Sequence, residues 1–390
     1  MRPAKHILPI IVIAQFFCTS LWFAGNGVMG DLVTNFNLGP NTLGHLTSAV
    51  QFGFISGTLL FAILTLTDRF SPSKVFMISA LLGAVFNACI LWQANTLSTL
   101  LVFRYFIGFF LAGIYPVGMK IAADYFDKGL GKSLGFLVGA LVLGTAFPHL
   151  LKGLNTLFSW TAVLLTTSAL AVLGGALMIG LVPDGPYRKS SQRVQLTAFL
   201  SVFKNPDFRA AAFGYFGHMW ELYTFWAFVP VMLQSYNLLH EDANLPISTL
   251  SFAIIAIGGL ACVLGGYLSQ NLGLKKTATF ALTLSCLCCL VSPLFFTVTS
   301  EILFVVFLLF WGMVVIADSP LFSTLVAQRA TSEIKGTALT IVNCIGFSIT
   351  IVSIQVIAAL ENIMPANSTY IILAIGPILG LIALAKKRSS

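Results

Sequence analysis

The sequence predicts an all-α integral membrane protein with twelve transmembrane helices in two six-helix pseudo-repeats. Three observations support this fold class: only 9% of the 390 residues are charged, long apolar runs recur along the whole chain, and lysine and arginine collect in alternate connections. A soluble globular chain carries about 25% charged residues. A chain with so few charges would not cover its surface in water, whereas a bilayer requires an apolar exterior.

The apolar runs set the number of predicted spans, because a transmembrane helix needs about 20 apolar residues. Short polar breaks separate the runs, so we expect no soluble domain. The first run follows a basic start, as in a signal peptide, but it is too long and no A-x-A-like site closes it, so we expect a retained helix. The predicted spans, numbered in chain order, are 8–29, 42–66, 74–95, 99–121, 132–151, 159–182, 209–236, 247–270, 276–298, 302–327, 337–360 and 368–385.

The net charge of +8 is distributed as a topology signal rather than as a nucleic-acid surface. Alternate connections carry Glu241, Asp242, Glu301 and Glu361, and Lys152 is their main basic exception. This is the positive-inside pattern, which predicts that both termini are cytoplasmic and that the basic residues also contact lipid. The basic positions are Arg2, Lys5, Arg69, Lys74, Lys128, Lys132, Arg188, Lys189, Arg193, Lys204, Lys275, Lys276, Arg329, Lys335, Lys386, Lys387 and Arg388.

The longest polar stretch, residues 184–207, follows the sixth predicted span. We expect it to be a cytoplasmic linker between an N-terminal bundle, residues 1–183, and a C-terminal bundle, residues 208–390. Internal repeats of this kind are typical of secondary transporters.

Two sequence patterns recur in the predicted halves. After the second span a polar pair, Asp68-Arg69, precedes a turn and Lys74, and after the eighth span Gln270-Asn271 precedes a turn and Lys275-Lys276, of which Lys276 has the same register as Lys74. In addition, Pro116 precedes a glycine by fifteen residues in the first half, and Pro320 precedes a glycine by sixteen residues in the second half.

These residues carry a resemblance to the major facilitator superfamily. Asp68-Arg69…Lys74 resembles its cytoplasmic signature between helices 2 and 3, the segment around Gln270 resembles the second-half copy, and Arg104-x-x-x-Gly108 resembles its helix-4 arginine motif. The first copy has Ser71 where glycine is common, which predicts a differently held turn. The resemblance implies the major facilitator fold. It also implies that Asp68, Arg69, Lys74 and Gln270 act at a cytoplasmic gate and keep that gate closed in the outward-open state.

Two further segments, residues 214–223 and 317–323, resemble a bacterial branch of nitrate/nitrite- or cyanate-type permeases. Nitrate carriers of this superfamily have an arginine on helix 2 and another on helix 8. Neither corresponding span contains an arginine within the membrane. This difference argues against nitrate as the substrate.

Four ionisable residues lie well inside predicted spans: Arg104, His218, Glu221 and Asp318. A charge at the centre of a membrane helix costs about 2.5–3.5 kcal/mol on insertion scales, so such residues usually have a functional role. His218 and Glu221 are three residues apart and share one helix face. The alternative is a permanent ion pair, such as His218 with Asp318, that holds helices together.

Polar and aromatic side chains form stripes on the spans that carry these residues. The resemblance implies that helices 1, 4, 7 and 10 line a central cavity, so we expect these stripes to bind substrate. A lipid-facing stripe of this polarity would be costly. The predicted substrate-binding residues are Gln15, Thr19, Trp22, Asn26, Arg104, Tyr115, Tyr215 and Trp311.

The sequence therefore predicts a secondary active transporter that moves a small polar organic solute across the cytoplasmic (inner) membrane by alternating access. Protons are the expected coupling ion, because burial brings the pKa of an acid and of a histidine toward neutrality. His218 is expected to partner Asp318 or Glu221, and the sequence does not decide which acid carries the proton. We expect a monomer that binds lipid, with no nucleic-acid partner, cofactor, resident metal or enzymatic activity.

Other functions remain open at this stage. His218, Glu221 and Asp318 offer ligands for a cation, which would suit a metal-ion or metal-chelate transporter or sodium coupling. A channel or receptor is disfavoured because no filter segment is present. An enzyme is disfavoured because no nucleophile and base pair is present, and Cys286-x-x-Cys289 lacks the βαβ context of a redox motif, so we expect its cysteines to pack as small apolar residues.

Overall fold

The computed structural model describes residues 6–126, 130–154, 159–188, 202–331 and 334–385, and every regular element in these ranges is a helix. Residues 1–5 and 386–390 with their predicted basic positions, Lys128, and most of the predicted linker lie outside the described residues. The helices before the linker are α1 Ile7–Thr19, α2 Ala24–Gly27, α3 Met29–Asn35, α4 Thr42–Ile63, α5 Leu66–Arg69, α6 Pro72–Cys89, α7 Leu97–Leu111, α8 Tyr115–Tyr125, α9 Leu130–Gly153 and α10 Trp160–Leu181. Those after it are α11 Pro206–Leu239, α12 Ile247–Leu272, α13 Leu274–Thr297, α14 Glu301–Ala317, α15 Ser319–Arg329, α16 Lys335–Leu360, α17 Ala366–Thr369 and α18 Ile375–Ala385, with a 3₁₀ turn at Tyr370–Ala374.

Ten segments of the described chain are long and apolar enough to cross a membrane. They match ten of the predicted spans in order, which confirms the all-α membrane fold class. The first predicted span is instead divided into the apolar helix α1 and the short helices α2 and α3. The seventh corresponds to α11, which is 34 residues long but more polar because it carries Asp207, His218 and Glu221.

Contacts between residues group the chain into two compact units, Met1–Arg193 (unit 1) and Val194–Ser390 (unit 2). Each unit has the same internal packing scheme. In unit 1, α1 packs on α9 and α10, while α4 packs on α7. In unit 2, α11 packs on α16 and α18, while α12 packs on α14.

The fourth and tenth spans are both broken before a proline. The helix α7 ends at Leu111 and α8 resumes with Tyr115-Pro116, while α14 ends at Ala317 and α15 resumes with Ser319-Pro320. Proline lacks a backbone N–H and is tolerated only in the first turn of a helix, so it favours a new helix start at these points. Asp318 occupies the break in unit 2.

Close backbone contacts hold these spans against their neighbours. A Cβ placed on Gly108 would lie 1.9 Å from the carbonyl oxygen of Val50, and one on Gly312 would lie 2.1 Å from that of Ile254. Any larger residue would collide with the neighbouring backbone. Glycine therefore permits the tight packing of α7 on α4 and of α14 on α12.

The two signature turns are built differently. In the second copy Gly273 has φ +87, a conformation that favours glycine. In the first copy the left-handed residue is Thr65 with φ 48, whereas Ser71 has φ −58 and needs no glycine. The Ser71 hydroxyl donates to Asp184 Oδ1 at 2.7 Å, which explains how the turn is held without glycine.

Candidate functional site

Unit 1 contains a buried arginine that no acidic side chain of the described residues contacts in an ion pair. The Arg104 side chain is 1% exposed and its Nη2 donates to the carbonyl of Trp22 at 3.0 Å and to Asn26 Oδ1 at 2.9 Å. Asn26 in turn donates to Thr47 Oγ1 at 2.8 Å. In the described chain Arg104 makes no ion pair, and its Nε and Nη1 have no hydrogen-bond partner.

The predicted polar stripe on the first span does not form one continuous face, because α1 ends at Thr19 and the chain turns before α2. Trp22 and Asn26 contact Arg104, as described above. Thr19 instead donates to Gln15 O at 2.8 Å and lies 3.4 Å from Ala140 O on α9. The Gln15 amide is fully buried, and neither of its polar atoms has a partner within the described ranges.

Unit 2 contains a buried histidine and aspartate pair. His218 Nδ1 on α11 lies 2.8 Å from Asp318 Oδ1 at the break between α14 and α15, and both side chains are 1% exposed. His218 Nε2 and Asp318 Oδ2 have no hydrogen-bond partner among the residues that the structure describes. The Tyr215 ring lies 6.0 Å from the His218 ring, between centroids. The pair is therefore buried and in direct contact, and each side chain keeps a polar atom without a partner in the described chain.

Glu221 belongs to a different set of contacts, although it lies only one turn from His218. Its Oε1 accepts from Ser285 Oγ at 2.5 Å, from Trp311 Nε1 at 2.6 Å and from Cys289 Sγ at 3.2 Å. Trp311 was predicted to contact substrate, and here its indole N–H is used by this carboxylate. The sequence analysis did not identify Ser285 and assigned Cys289 only a packing role. Both residues donate to Glu221 on another helix, and nothing in their own sequence neighbourhood indicates that contact.

Tyr115, the remaining predicted substrate-binding residue, is half-buried at the start of α8, directly before Pro116. The structure brings Trp22, Asn26 and Arg104 together in unit 1. It brings His218 and Asp318 together in unit 2.

The predicted gate residues fall into two groups. Asp68 Oδ1 accepts from Lys120 Nζ at 2.9 Å, and sequence reasoning missed Lys120 because it lies inside a predicted span. By contrast Arg69, Lys74 and Gln270 are exposed, and neither Arg69 nor Lys74 forms an ion pair in the described ranges.

A second basic residue supports the first signature turn. The guanidinium of Arg188 pairs with Asp184 and donates to the carbonyls of Asp68 at 3.1 Å and Phe70 at 2.8 Å. Arg188 appeared in the sequence only as a topology signal. Lys152, the exception to the charge pattern, forms an ion pair of 2.8 Å with Asp31.

No group of three or more histidine, cysteine or acidic side chains that would hold a metal ion occurs within the described residues. The reason is visible at the candidate cation site: Glu221 is bonded to Ser285, Cys289 and Trp311, away from the His218–Asp318 pair.

Apolar membrane helices that bury ionisable side chains, among them Arg104 in unit 1 and the His218–Asp318 pair in unit 2, are typical of a multi-pass membrane transporter. The chain belongs to the Major Facilitator Superfamily, whose sequence profile matches residues 11–354.

Two relatives in sequence are bacterial transporters rather than enzymes. One is the niacin transporter NiaP of Acinetobacter baylyi, 32% identical over 35% of this chain and 36% of that protein. The other is the putative niacin/nicotinamide transporter NiaP of Bacillus subtilis, 27% identical over 42% of this chain and 40% of that protein. The matched stretches thus span well under half the length of each relative.

Two solved structures share the fold along the whole chain. A point mutant of the nucleoside transporter NupG has a TM-score of 0.74 at 15% identity, covering 97% of this chain and 100% of that chain. A bacterial homologue of the human lysosomal transporter Spinster has a TM-score of 0.71 at 13% identity, covering 98% and 95%. At these identities the likeness establishes the fold alone.

Proposed function

We propose that this protein is a proton-coupled secondary active transporter that moves a small polar organic solute by alternating access. The observation that carries this proposal is the His218–Asp318 pair, which is buried yet keeps His218 Nε2 and Asp318 Oδ2 without hydrogen-bond partners in the described chain. Unsatisfied buried polar atoms cost free energy, so their retention suits a group that binds and releases a proton during a cycle.

The substrate that the contacts favour is a small organic acid. Arg104 cannot lose its proton in a protein and has no acidic partner in the described ranges, so a substrate carboxylate would supply the missing charge. Both sequence relatives are niacin transporters by name, and niacin is a small aromatic carboxylic acid. Neither relative is a nitrate or cyanate permease, so the comparisons do not support that branch.

The remaining residues take supporting roles in this proposal. Gln15, Thr19, Tyr115, Tyr215 and Trp311 belong to the substrate path with Trp22 and Asn26, and Glu221 positions Trp311 or shares the proton. Asp68 and Lys120 act at the cytoplasmic gate together with Arg69, Lys74 and Gln270.

The proposed protein is a monomer in the inner membrane, with bundles at residues 1–183 and 208–390 and a cytoplasmic linker at 184–207. The basic residues of alternate connections support cytoplasmic termini. A reporter fused after Arg388 is expected to be cytoplasmic, and one inserted near Glu241 is expected to be external. The reverse result would overturn this topology.

Liposomes that contain the purified protein test the coupling. A proton gradient is expected to drive uphill accumulation of radiolabelled nicotinate by the wild-type protein. Asp318→Asn is expected to abolish the drive while leaving exchange of nicotinate intact, because exchange needs no net proton movement. Glu221→Gln is the matched acid variant. If only this variant loses gradient-driven accumulation, Glu221 rather than Asp318 carries the proton. Uphill accumulation by both variants would place the coupling site elsewhere.

A further inference from the structure

Gln51 on α4 is a buried amide that the site described above does not use. Its side chain is fully buried, and neither Nε2 nor Oε1 has a hydrogen-bond partner within the described ranges. A buried amide usually has partners, because leaving both atoms unpaired costs free energy. An apolar residue of the same size would avoid that cost.

The neighbours of Gln51 locate its side chain. Thr47, Gln51 and Phe54 are spaced four and three residues apart, so they share one face of α4. Thr47 accepts the hydrogen bond of Asn26, and the Phe54 ring lies 4.8 Å from the Trp22 ring, between centroids. Gln51 therefore lies between two residues that contact Asn26 and Trp22.

Asn26 and Trp22 are also the two residues that accept hydrogen bonds from Arg104. The face of α4 that carries Gln51 is thus directed at Arg104 and its two partners, Trp22 and Asn26. Unpaired donors on Arg104, namely Nε and Nη1, and the unpaired amide of Gln51 belong to the same small region, whose aromatic residues are Trp22 and Phe54.

We propose that Arg104 and Gln51 form one specificity site for a small planar carboxylate whose ring carries a hydrogen-bonding atom. Arg104 binds the carboxylate, Gln51 bonds the ring atom, and the packed rings of Trp22 and Phe54 form one aromatic wall against which the ligand ring lies. This inference rests on the proposed transport of an organic acid and adds the residue that distinguishes one acid from another. A site built to bond a polar ring atom rejects an analogue that lacks it, because the amide is then left unpaired.

Three probes separate the two contacts in calorimetric titrations of the purified full-length protein. Nicotinate has the carboxylate and the ring nitrogen, benzoate lacks the nitrogen, and nicotinamide lacks the charge. The wild-type protein is expected to bind nicotinate about tenfold tighter than benzoate, the effect of one hydrogen bond, and to bind nicotinamide weakest. Gln51→Met is expected to remove the preference for nicotinate while leaving benzoate affinity unchanged. Failure of the wild-type protein to bind any probe, or a preference that survives in Gln51→Met, would overturn the assignment.

The unliganded Gln51→Met protein provides the control for folding. Methionine has a similar size and removes the two unpaired atoms, so the melting temperature is expected to stay the same or rise. A lower melting temperature would show that the amide has a structural partner and would contradict the proposal. Gradient-driven uptake is measured separately. If the protein still prefers nicotinate to benzoate but a proton gradient does not drive uptake, the coupling proposal is refuted and the specificity site is retained.

Discussion

Units 1 and 2 share a backbone arrangement but differ in the chemistry that they bury. The same offset of 204 positions separates Gly108 from Gly312 and Val50 from Ile254, and each glycine packs on the carbonyl of its matching partner. Both units also break the span that carries this glycine before a proline. The helix arrangement that the two units share, here called the duplicated frame, therefore repeats even the individual backbone contacts.

The same offset exposes the difference. Arg104 in unit 1 corresponds to the buried Leu308 in unit 2, while Asp318 in unit 2 corresponds to Ile114 in unit 1. At these aligned positions unit 1 buries a permanent charge, and unit 2 buries the acid of a titratable pair. In the proposed function, the permanent charge of unit 1 binds the substrate carboxylate and the titratable pair of unit 2 exchanges the proton.

Removing the permanent charge is expected to have the largest effect. Arg104→Met is expected to lower nicotinate uptake at least about 100-fold, because loss of a buried charged contact costs roughly 3 kcal/mol or more. Arg104→Lys should recover only part of the uptake, since lysine keeps the charge but not the planar set of donors. The melting temperature of Arg104→Met is expected to change little, because removing a buried charge that has no acidic partner in the described chain offsets the loss of its hydrogen bonds to the Trp22 carbonyl and Asn26. Normal uptake by either variant would contradict a role of the Arg104 charge in substrate binding.

The equivalence of the two frames is tested by matched glycine substitutions. Gly108→Ala and Gly312→Ala place a methyl group against a backbone carbonyl at 1.9 and 2.1 Å. Each is expected to destabilise its unit by about 1–3 kcal/mol, as overpacked sites do. Thermal unfolding in detergent measures both, with Gly30→Ala as the control because its Cβ would meet open space. A large effect at one glycine only would show that the frames are not equivalent.

A smaller effect is expected at the proposed gate of unit 1. Asp68→Asn and Lys120→Met each break the ion pair of 2.9 Å and are expected to slow transport several-fold while leaving nicotinate affinity within a few-fold. The double variant should be no slower than the single variants, because the residues act as a pair. Additive losses in uptake assays would separate their roles.

The smallest effect is a change of stability with pH in unit 2. Burial raises the pKa of Glu361, whose carboxylate accepts a hydrogen bond from Tyr370 Oη. An acid with a raised pKa stabilises the fold most when it is protonated, so this contribution is lost as the pH rises through the folded-state pKa. Glu361→Gln should therefore melt slightly above the wild-type protein at neutral pH and lose this advantage in acid. A difference that is constant with pH would exclude titration as its cause.

Sequence reasoning found the features that depend on one residue or one local pattern. Apolar length predicted the spans, and charge inside the spans singled out Arg104, His218 and Asp318, which the structure shows to be buried. Their functional roles stay predictions. The break after Thr19 was missed because no proline marks it and its residues are as apolar as the helix around them.

Pairings across spans could not be predicted from local patterns. Lys120, Ser285 and Gln51 lie in apolar segments, and the importance of each depends on a residue of another helix. Lys120 donates to Asp68, Ser285 donates to Glu221, and Gln51 lies beside the neighbours of Arg104. A single sequence does not contain that information, because helix rotation and depth are fixed only by tertiary packing.

The glycine contacts have a consequence for protein engineering. At Gly108 and Gly312 the helices meet through backbone atoms, so the joint does not depend on which side chains occupy the neighbouring faces. Gln51 and its counterpart Ile255 stand beside the contacted carbonyls of Val50 and Ile254, yet one is an amide and the other a hydrocarbon. Such positions are suitable for combinatorial libraries, in which side chains are varied to change the preferred substrate while the helix packing stays the same.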